Sequence, residues 1–303
     1  MLLQKLHTCK DKWLHKYWKK EFQTVDRLLR EAILSSRKVD PRFAKEIEYM
    51  RECNEIMFIP YRFREHYPIS EINVKYDQRQ KMKYVLHEGK RLYFSTMNEQ
   101  SIKTQYQALV IEQDEQSPHR YFSKGYEFED GMIFVDVGAA EGILSLEVVE
   151  KAKEIYLLEC DKAWIRALEA TFQPWKDKVH IIPKYAGRKC NRNSVALDAL
   201  FLERDKNERF FIKIDVEGME PEVLEGAQGL LRRNKTVCVC ATYHTEDAAK
   251  TLKRFFRHLG YMSEFSKNYI LFRYGFGCFQ NGKYKRIRSP YFRKGLIRAK
   301  NEQ

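Results

Sequence analysis

The stretch IFVDVGAAEGILSLEVVEKA, residues 133–152, decides the fold of this chain. It joins a short apolar run, IFVDV, to a helical pattern through a turn that contains Gly138 and Gly142. Glycine in a tight strand-to-helix turn lets a ligand approach the backbone, and the helix that follows presents free N–H groups at its start. The stretch therefore predicts a strand, a ligand-binding turn and a helix.

The sequence after this unit keeps alternating apolar runs with helical patterns. The predicted strands EIYLLE, VHIIP, RFFIKIDV and TVCVCATY are separated by helical segments such as DKAWIRALEATF and PEVLEGAQGLLRR, and GYMSEF and NYILFRY follow as a hairpin. Strands separated by helices of about ten to fifteen residues predict right-handed crossovers and a mostly parallel sheet. The predicted fold class is α/β, a doubly wound Rossmann-like sheet closed by an antiparallel hairpin.

The regions on either side of this sheet have different patterns. Residues 1–118 are predicted to form an N-terminal extension with helices in WLHKYWKKEFQTVDRLLREAIL and PRFAKEIEYMRECNEI and a β-hairpin in KYVLHEGKRLYFS. We expect this extension to cover the substrate site or to mediate self-association. Residues 119–274 form the predicted doubly wound domain, and residues 275–303 a basic C-terminal tail.

The net charge of +13 is concentrated at the two ends of the chain. Basic ends can attract phosphate-rich partners such as nucleic acid, and they are equally consistent with a solvated tail that aids solubility. Between the two ends, the numbers of positive and negative residues are balanced. The content of 44% hydrophobic residues indicates a globular protein. No apolar run reaches the ~18 residues of a membrane span. The seven cysteines lack the spacing of a disulfide framework, so we expect reduced thiols and a cytoplasmic location.

The ligand-binding turn has the spacing G-x-x-x-G, which differs from the dinucleotide fingerprint and from the P-loop. This argues against NAD, FAD and P-loop nucleotides. Glu159 ends the second strand, where a carboxylate can accept both hydroxyls of a ribose. A helix cap or a turn carboxylate is the alternative role, but the turn and the acid together favour an adenosine ligand.

Two further strand ends carry ionisable residues. Asp215 and Glu217 follow the fourth strand, and His244 follows the fifth. The carboxyl ends of neighbouring parallel strands lie at one edge of a sheet, so we expect these three residues to converge on the ligand. The alternative roles are capping of the next helix for the acids and a structural role for the histidine.

Together, VDVGAAEGILSL, the acid of LLE, LDALF and FFIKIDVEGMEPEVLEGA resemble the FkbM family of S-adenosylmethionine (SAM)-dependent methyltransferases. The segment KIDVEGMEPEVLEGA is the most specific part of the resemblance, which covers roughly Arg120 to Phe272. It implies transfer of a methyl group to a hydroxyl of a sugar, polysaccharide or glycosylated acceptor.

The resemblance also implies roles for individual residues. Glu141 stands where the family usually has Asn or a similar polar residue, and the closing hairpin lacks the family's Arg-His pair. Glu159 would hold the ribose, and the segment from Lys184 to Ala186 would border the adenine. The residues assigned to the cofactor site are Asp136, Gly138, Ala140, Glu141, Gly142, Glu159, Tyr185, Ala186 and Asp215.

The acceptor hydroxyl must lose its proton as the new bond forms. His244 is the predicted general base, with Asp215 and Glu217 beside it. A divalent cation, Mg or Mn, held by these acids with His244 alongside is the alternative, and no metal ligand is assigned.

Two other functions compete with a sugar O-methyltransferase. One is an RNA methyltransferase or nucleic-acid-binding module that uses the basic ends, although the sequence has no recognised RNA-binding motif. The other is a scaffold that binds the cofactor without turnover.

Overall fold

The computed structural model describes residues 24–35, 40–53, 56–272, 279–280, 283–284 and 291–301. Its helices are α1 (24–34), α2 (Ala44–Glu52), α3 (Glu99–Glu112), α4 (Ile143–Val148), α5 (Lys162–Phe172), α6 (Leu197–Leu200), α7 (Glu220–Glu225), α8 (Gln228–Arg233) and α9 (Ala248–His258). Its strands are β1 (Lys75–Asp77), β2 (Met82–His87), β3 (Lys90–Phe94), β4 (Ile133–Val137), β5 (Glu154–Leu158), β6 (Val179–Ile182), β7 (Tyr185–Ala186), β8 (Ser194–Val195), β9 (Arg209–Ile214), β10 (Lys235–Ala241), β11 (Met262–Phe265), β12 (Phe279–Gln280), β13 (Lys283–Tyr284) and β14 (Leu296–Lys300).

The chain divides into two compact units. The smaller comprises the described residues within Met1–Arg62 and Tyr269–Arg293, and the larger comprises those within Phe63–Asn268 and Lys294–Gln303. In the smaller unit, α1 and α2 share a buried cluster whose members are Leu29, Ile33, Phe43, Ile47, Met50, Leu271 and Phe292. The first half of the predicted helix WLHKYWKKEFQTVDRLLREAIL lies outside the described residues.

The larger unit is built on a seven-stranded sheet with the order β6-β5-β4-β9-β10-β14-β11. The first five of these strands are parallel, and β14 pairs antiparallel with both β10 and β11. This confirms the predicted α/β class with a doubly wound, mostly parallel sheet. Strand order reverses between β4 and β9, and such a reversal opens a crevice at the carboxyl ends of the strands.

Local sequence explains the helices and strands that border this crevice. Every residue of β4 is buried, as expected for a central strand with both faces covered. The Asp161 side chain caps α5 by accepting a hydrogen bond of 2.8 Å from the Ala163 N–H, and Pro221 stands in the first turn of α7. These signals fix where the chain leaves the sheet, and so they position the residues between strand and helix.

The antiparallel edge of the sheet forms from other residues than predicted. GYMSEF supplies β11 as expected, but its partner is β14, in the predicted basic tail. The described part of NYILFRY, residues 268–272, adds no strand to the sheet. The first four residues of β14 are buried, as expected for a strand inside the sheet. They include Arg298, whose guanidinium donates a 2.6 Å hydrogen bond to the Arg120 carbonyl. The three-part division at residues 118 and 274 stays a prediction.

Ahead of the large sheet, β1, β2 and β3 form a three-stranded antiparallel sheet, which confirms the predicted hairpin and extends it by one strand. Helix α3 follows, capped by the Asn98 side chain. No helix in the described part of the chain combines the length and apolar character that crossing a membrane requires.

Candidate active site

The turn after β4 requires glycine at two positions. Gly138 and Gly142 have φ angles of +79° and +77°, in the left-handed region. A Cβ atom on Gly138 would lie 2.1 Å from the carbonyl oxygen of Asp215, and one on Gly142 would lie 2.7 Å from the side chain of Leu168. The turn after β4 and the end of β9 are therefore in direct contact at the point where strand order reverses.

Glu159 holds this turn from the neighbouring strand end. One of its carboxylate oxygens accepts a 3.0 Å hydrogen bond from the Ala140 N–H. The other accepts hydrogen bonds of 2.7 Å from Cys160 N–H and 2.8 Å from Asp161 N–H. Glu159, the residue predicted to bind the ribose, therefore also holds the loop that would bind the cofactor.

Asp136 is buried beneath the turn. Its carboxylate accepts a 2.7 Å hydrogen bond from the Ser145 hydroxyl and lies 2.9 Å from the Lys213 ammonium. Lys213 also donates to the carbonyl of Gly138. Burial opposes the charge of Lys213, but Asp136 and Asp215 outweigh it and raise the pKa of the ammonium. Asp136 and Lys213 are therefore a buried ion pair that supports the turn from below.

Glu141 is buried in the same turn. It is the residue that stands where the FkbM family usually has Asn or a similar polar residue. Burial raises the pKa of its carboxyl to about 8, so the group is protonated at neutral pH. Its nearest side-chain partner is the amide of Gln105 on α3, at 3.4 Å.

We expect Glu141→Gln to reduce the dependence of stability on pH. A carboxyl whose pKa rises on folding from 4.5 to about 8 contributes stability that is fully present below pH 4.5 and is lost as the pH rises through 8. Glutamine does not titrate, so the free energy of unfolding of the variant, relative to the natural protein, should increase from pH 5 to pH 8. Urea unfolding at both pH values measures this difference, and an unchanged difference would contradict the assignment.

Asp215 lies at the centre of the site, directly after β9. The Tyr121 hydroxyl donates to it at 2.8 Å, and the Tyr243 hydroxyl lies 3.1–3.2 Å from both of its carboxylate oxygens. Burial alone would raise the pKa of this carboxyl, but the cations of His119, His244 and Lys213 hold it well below its usual range. Asp215 is therefore a fixed negative charge at the carboxyl end of the sheet.

His244 meets Asp215 from the end of β10. Its Nε2 lies 3.4 Å from Asp215 Oδ1 and 3.9 Å from Glu217 Oε2, and its Nδ1 lies 2.7 Å from Glu220 Oε1. Burial by itself would lower the pKa of the imidazole, but the three carboxylates outweigh burial and raise it. The structure thus brings together the three predicted residues Asp215, Glu217 and His244.

Six residues of the site were not predicted: Glu112, His119, Tyr121, Lys213, Glu220 and Tyr243. His119 is buried, with its Nδ1 3.3 Å from Glu112 and its Nε2 3.2 Å from the Tyr243 hydroxyl. Burial opposes its charge, yet Glu112 and Asp215 raise the pKa of its imidazole to about 9. The sequence signal that could have pointed to Glu220 is the group of three acids, Asp215, Glu217 and Glu220, within six residues after β9.

The adenine segment lies beside Glu159. β7 pairs with β8 in a separate two-stranded sheet, and the side chain of Tyr185 is 56% exposed. Burial raises the pKa of the thiol of Cys160, the residue after Glu159, and the neighbouring Tyr185 hydroxyl opposes that rise. Tyr185 thus offers an exposed aromatic ring next to Glu159, the residue predicted to bind the ribose.

Asp215, Glu220 and His244 also form a set of potential metal ligands. Each presents one suitable atom, and the three atoms lie within 4.8 Å of one another. This set differs from the predicted cation site by containing Glu220 instead of Glu217. The divalent cation stays a prediction.

Residues 136–263 match the methyltransferase FkbM domain. Solved structures similar to this chain include the FkbM methyltransferase of Methylobacillus flagellatus KT, with 16% identity, a TM-score of 0.44 and 67% of this chain aligned to 55% of that one. This chain therefore spans little more than half of that relative. No curated protein matches the chain.

Two other solved structures are similar to part of this chain. Precorrin-6y C5,15-methyltransferase of Geobacter metallireducens GS-15 aligns 59% of this chain to 85% of its own, with 17% identity and a TM-score of 0.37. Sp1610 of Streptococcus pneumoniae, solved in complex with S-adenosyl-L-methionine, aligns 59% to 71%, with 15% identity and a TM-score of 0.35.

Proposed function

We propose that this chain, whose residues 136–263 match the methyltransferase FkbM domain, is a SAM-dependent methyltransferase that acts on a hydroxyl of a sugar, polysaccharide or glycosylated acceptor. The observation that carries the proposal is the contact between His244 and Asp215 at the edge where strand order reverses. A basic nitrogen and a fixed anion at that edge suit the removal of a hydroxyl proton.

The cofactor would occupy the crevice above the turn after β4. Gly138, Ala140 and Gly142 would border its methionine end, and Glu159 would receive the ribose hydroxyls while keeping its backbone contacts. Tyr185 and Ala186 would border the adenine. Asp136 and Glu141 would act from beneath the turn, because both side chains are buried.

The acceptor would enter on the side of Glu217, whose side chain is 77% exposed. Methyl transfer needs the acceptor oxygen in line with the S–CH₃ bond, about 3 Å from the methyl carbon. Glu220 accepts the hydrogen on Nδ1 of His244 and so leaves the Nε2 lone pair for the acceptor proton. An exposed carboxylate beside this base can also hydrogen-bond to neighbouring sugar hydroxyls.

Calorimetric titration with SAM tests the cofactor site. We expect Glu159→Gln to weaken SAM binding at least tenfold, about 1.4 kcal/mol, because the amide keeps the shape of the side chain but loses one acceptor. Glu169→Gln, at an exposed position of α5, is the matched control and should bind as the natural protein does. Binding of NAD in place of SAM, or no loss in Glu159→Gln, would contradict the assignment.

An acceptor screen tests the substrate class. Purified protein, SAM and a panel of free sugars, oligosaccharides and RNA should yield S-adenosylhomocysteine and a methylated product with a carbohydrate. Product on RNA, with a steep salt dependence, would instead favour the nucleic-acid function of the basic ends. The cytoplasmic location and self-association through the N-terminal extension also remain proposals, tested by fractionation and by sedimentation.

A further inference from the structure

Asp215, Glu220 and His244 meet at the carboxyl edge of the sheet and carry atoms that can bind a metal ion. Asp215 follows β9, Glu220 begins α7 and His244 follows β10. Nδ1 of His244 lies 2.7 Å from Oε1 of Glu220, and Nε2 lies 3.4 Å from Oδ1 of Asp215. One ligand atom from each residue lies within 4.8 Å of the other two. A ring nitrogen and two carboxylates are ligand types of zinc sites that keep a fourth position open.

One oxygen of Glu220 has no hydrogen bond. The Glu220 side chain is fully buried, and its Oε1 accepts hydrogen bonds of 3.1 Å from the Val216 N–H and 3.3 Å from the Gly218 N–H. Oε2 is also buried, but no group among the residues that the structure describes forms a hydrogen bond with it. Buried polar atoms are satisfied in most cases, and a bound ion is one way to satisfy them. This oxygen belongs to one of the three potential ligands, so it points to a cation there.

The charges around the three residues favour a divalent cation. The three acids after β9 each place a carboxylate oxygen within 3.9 Å of the His244 ring. The ammonium of Lys213 lies beneath the site and is paired with Asp136. The imidazole of His119 faces Asp215 from the interior, at 3.6 Å. A divalent cation would therefore bind where carboxylates outnumber the imidazoles that face them.

We propose that Asp215, Glu220 and His244 bind Zn²⁺, and that the bound ion inhibits methyl transfer. The inhibition rests on the proposed function, in which His244 is the general base. A neutral imidazole has one nitrogen with a free lone pair and one nitrogen with a hydrogen. If the lone pair binds zinc, the other nitrogen keeps its hydrogen, so the ring cannot accept the proton of the acceptor hydroxyl. This is true whichever nitrogen binds the metal.

The ligand set favours zinc over the magnesium or manganese predicted from the sequence. Mg²⁺ requires near-octahedral oxygen coordination and gives up its water reluctantly. The set here includes a ring nitrogen, and its second acid is the buried Glu220 instead of Glu217, whose side chain is 77% exposed. Imidazole suits zinc, and a site of nitrogen and oxygen ligands generally binds zinc more tightly than manganese.

Calorimetric titration with ZnCl₂ tests the site without an acceptor. The chain has free thiols, which also bind zinc, so the accessible ones are alkylated first. We expect about one Zn²⁺ per chain, and binding weaker by about tenfold or more in Glu220→Gln, because an amide is a poor zinc ligand. Glu222→Gln is the matched control, since Glu222 lies in the same helix with a 40% exposed side chain. It should bind zinc as the natural protein does.

The same titrations define the results that would contradict the site. Equal zinc affinity in the natural protein and in Glu220→Gln would overturn it, and displacement of the zinc by an equal concentration of MgCl₂ would overturn the choice of metal. Retained SAM binding shows that Glu220→Gln is folded. His244→Gln removes the ring nitrogens and should also weaken zinc binding by about tenfold or more. It keeps the proposal testable where Glu220→Gln fails to fold, and unchanged zinc affinity in it would overturn the site.

Initial rates test the inhibition, with an acceptor found in the screen. Zinc at concentrations that fill the site should lower the rate of S-adenosylhomocysteine formation by about tenfold or more, and a chelator should restore it. An unchanged or faster rate with the site filled would overturn the inhibition. Failure of the metal-free protein to bind SAM would overturn the proposed function, but the zinc titrations would still decide the metal site, so the two failures are distinguishable.

Discussion

Replacing His244 with glutamine is expected to lower kcat for methyl transfer by a factor of about 10²–10⁴ while changing SAM affinity by less than about twofold. The sulfonium methyl is already reactive, so the barrier depends on removing the acceptor proton in the transition state. Glutamine keeps a donor near Glu220 but offers no basic nitrogen where Nε2 lies, 3.4 Å from Asp215. Initial rates of S-adenosylhomocysteine formation, with an acceptor found in the screen, measure the loss.

Glu217→Gln and His258→Gln are the comparisons for this variant. Glu217 lies beside the same nitrogen at 3.9 Å but is largely exposed, so its substitution should act on KM for the acceptor more than on kcat. His258, at an exposed position of α9, should leave both unchanged. Activity within threefold of the natural protein in His244→Gln would move the general base to another residue of the site.

The sequence predicted the residues of the site that follow directly from strand order. Asp215 and His244 stand immediately after β9 and β10, and neighbouring parallel strands deliver their carboxyl ends to one edge, so adjacency in the sheet brings them together. The turn with Gly138 and Gly142 was predictable for the same reason. The hydrophobic pattern gave the position of each residue along its strand. That position placed the residue at the carboxyl edge of the sheet.

The rest of the site depends on contacts that patterning does not encode. Glu220 is fully buried, whereas glutamate at the start of a helix is usually exposed and interacts with the helix dipole. His119 and Tyr121 reach Asp215 from about a hundred positions earlier in the chain, through a segment without helical or strand periodicity. Only the packing of that segment against the sheet shows that they belong to the site.

β14 shows a similar limit in the fold. Its residues, LIRAK, end a strongly basic region, so charge favoured a solvated tail. A strand with hydrogen-bonded neighbours on both sides satisfies its backbone groups, and its arginine is accommodated by donating to the carbonyl of Arg120. Pairing on both edges of the strand outweighed the cost of burying one guanidinium.

Replacing Lys213 with methionine is expected to lower the free energy of unfolding of the larger unit by about 3–5 kcal/mol. Methionine preserves most of the apolar volume of the lysine but removes the ammonium 2.9 Å from Asp136. That carboxylate would remain buried and would keep the hydrogen bond from the Ser145 hydroxyl, and the carbonyl of Gly138 would lose the hydrogen bond from Lys213. Urea unfolding followed by circular dichroism measures the loss.

Lys153→Met separates burial from pairing, because Lys153 lies 2.6 Å from Glu208 but its side chain is 52% exposed. Glu208 is largely buried but also lies 3.4 Å from Arg204, so the loss of the exposed lysine should cost less than about 1 kcal/mol. Adding Asp136→Asn to Lys213→Met removes the orphaned charge and should restore most of the stability, because neutral replacement of a buried ion pair costs little. If Lys213→Met lowered the free energy of unfolding no more than Lys153→Met does, the Asp136–Lys213 pair would not stabilise the turn. If the double variant regained stability but not SAM affinity, the pair would serve the cofactor turn as well as the core.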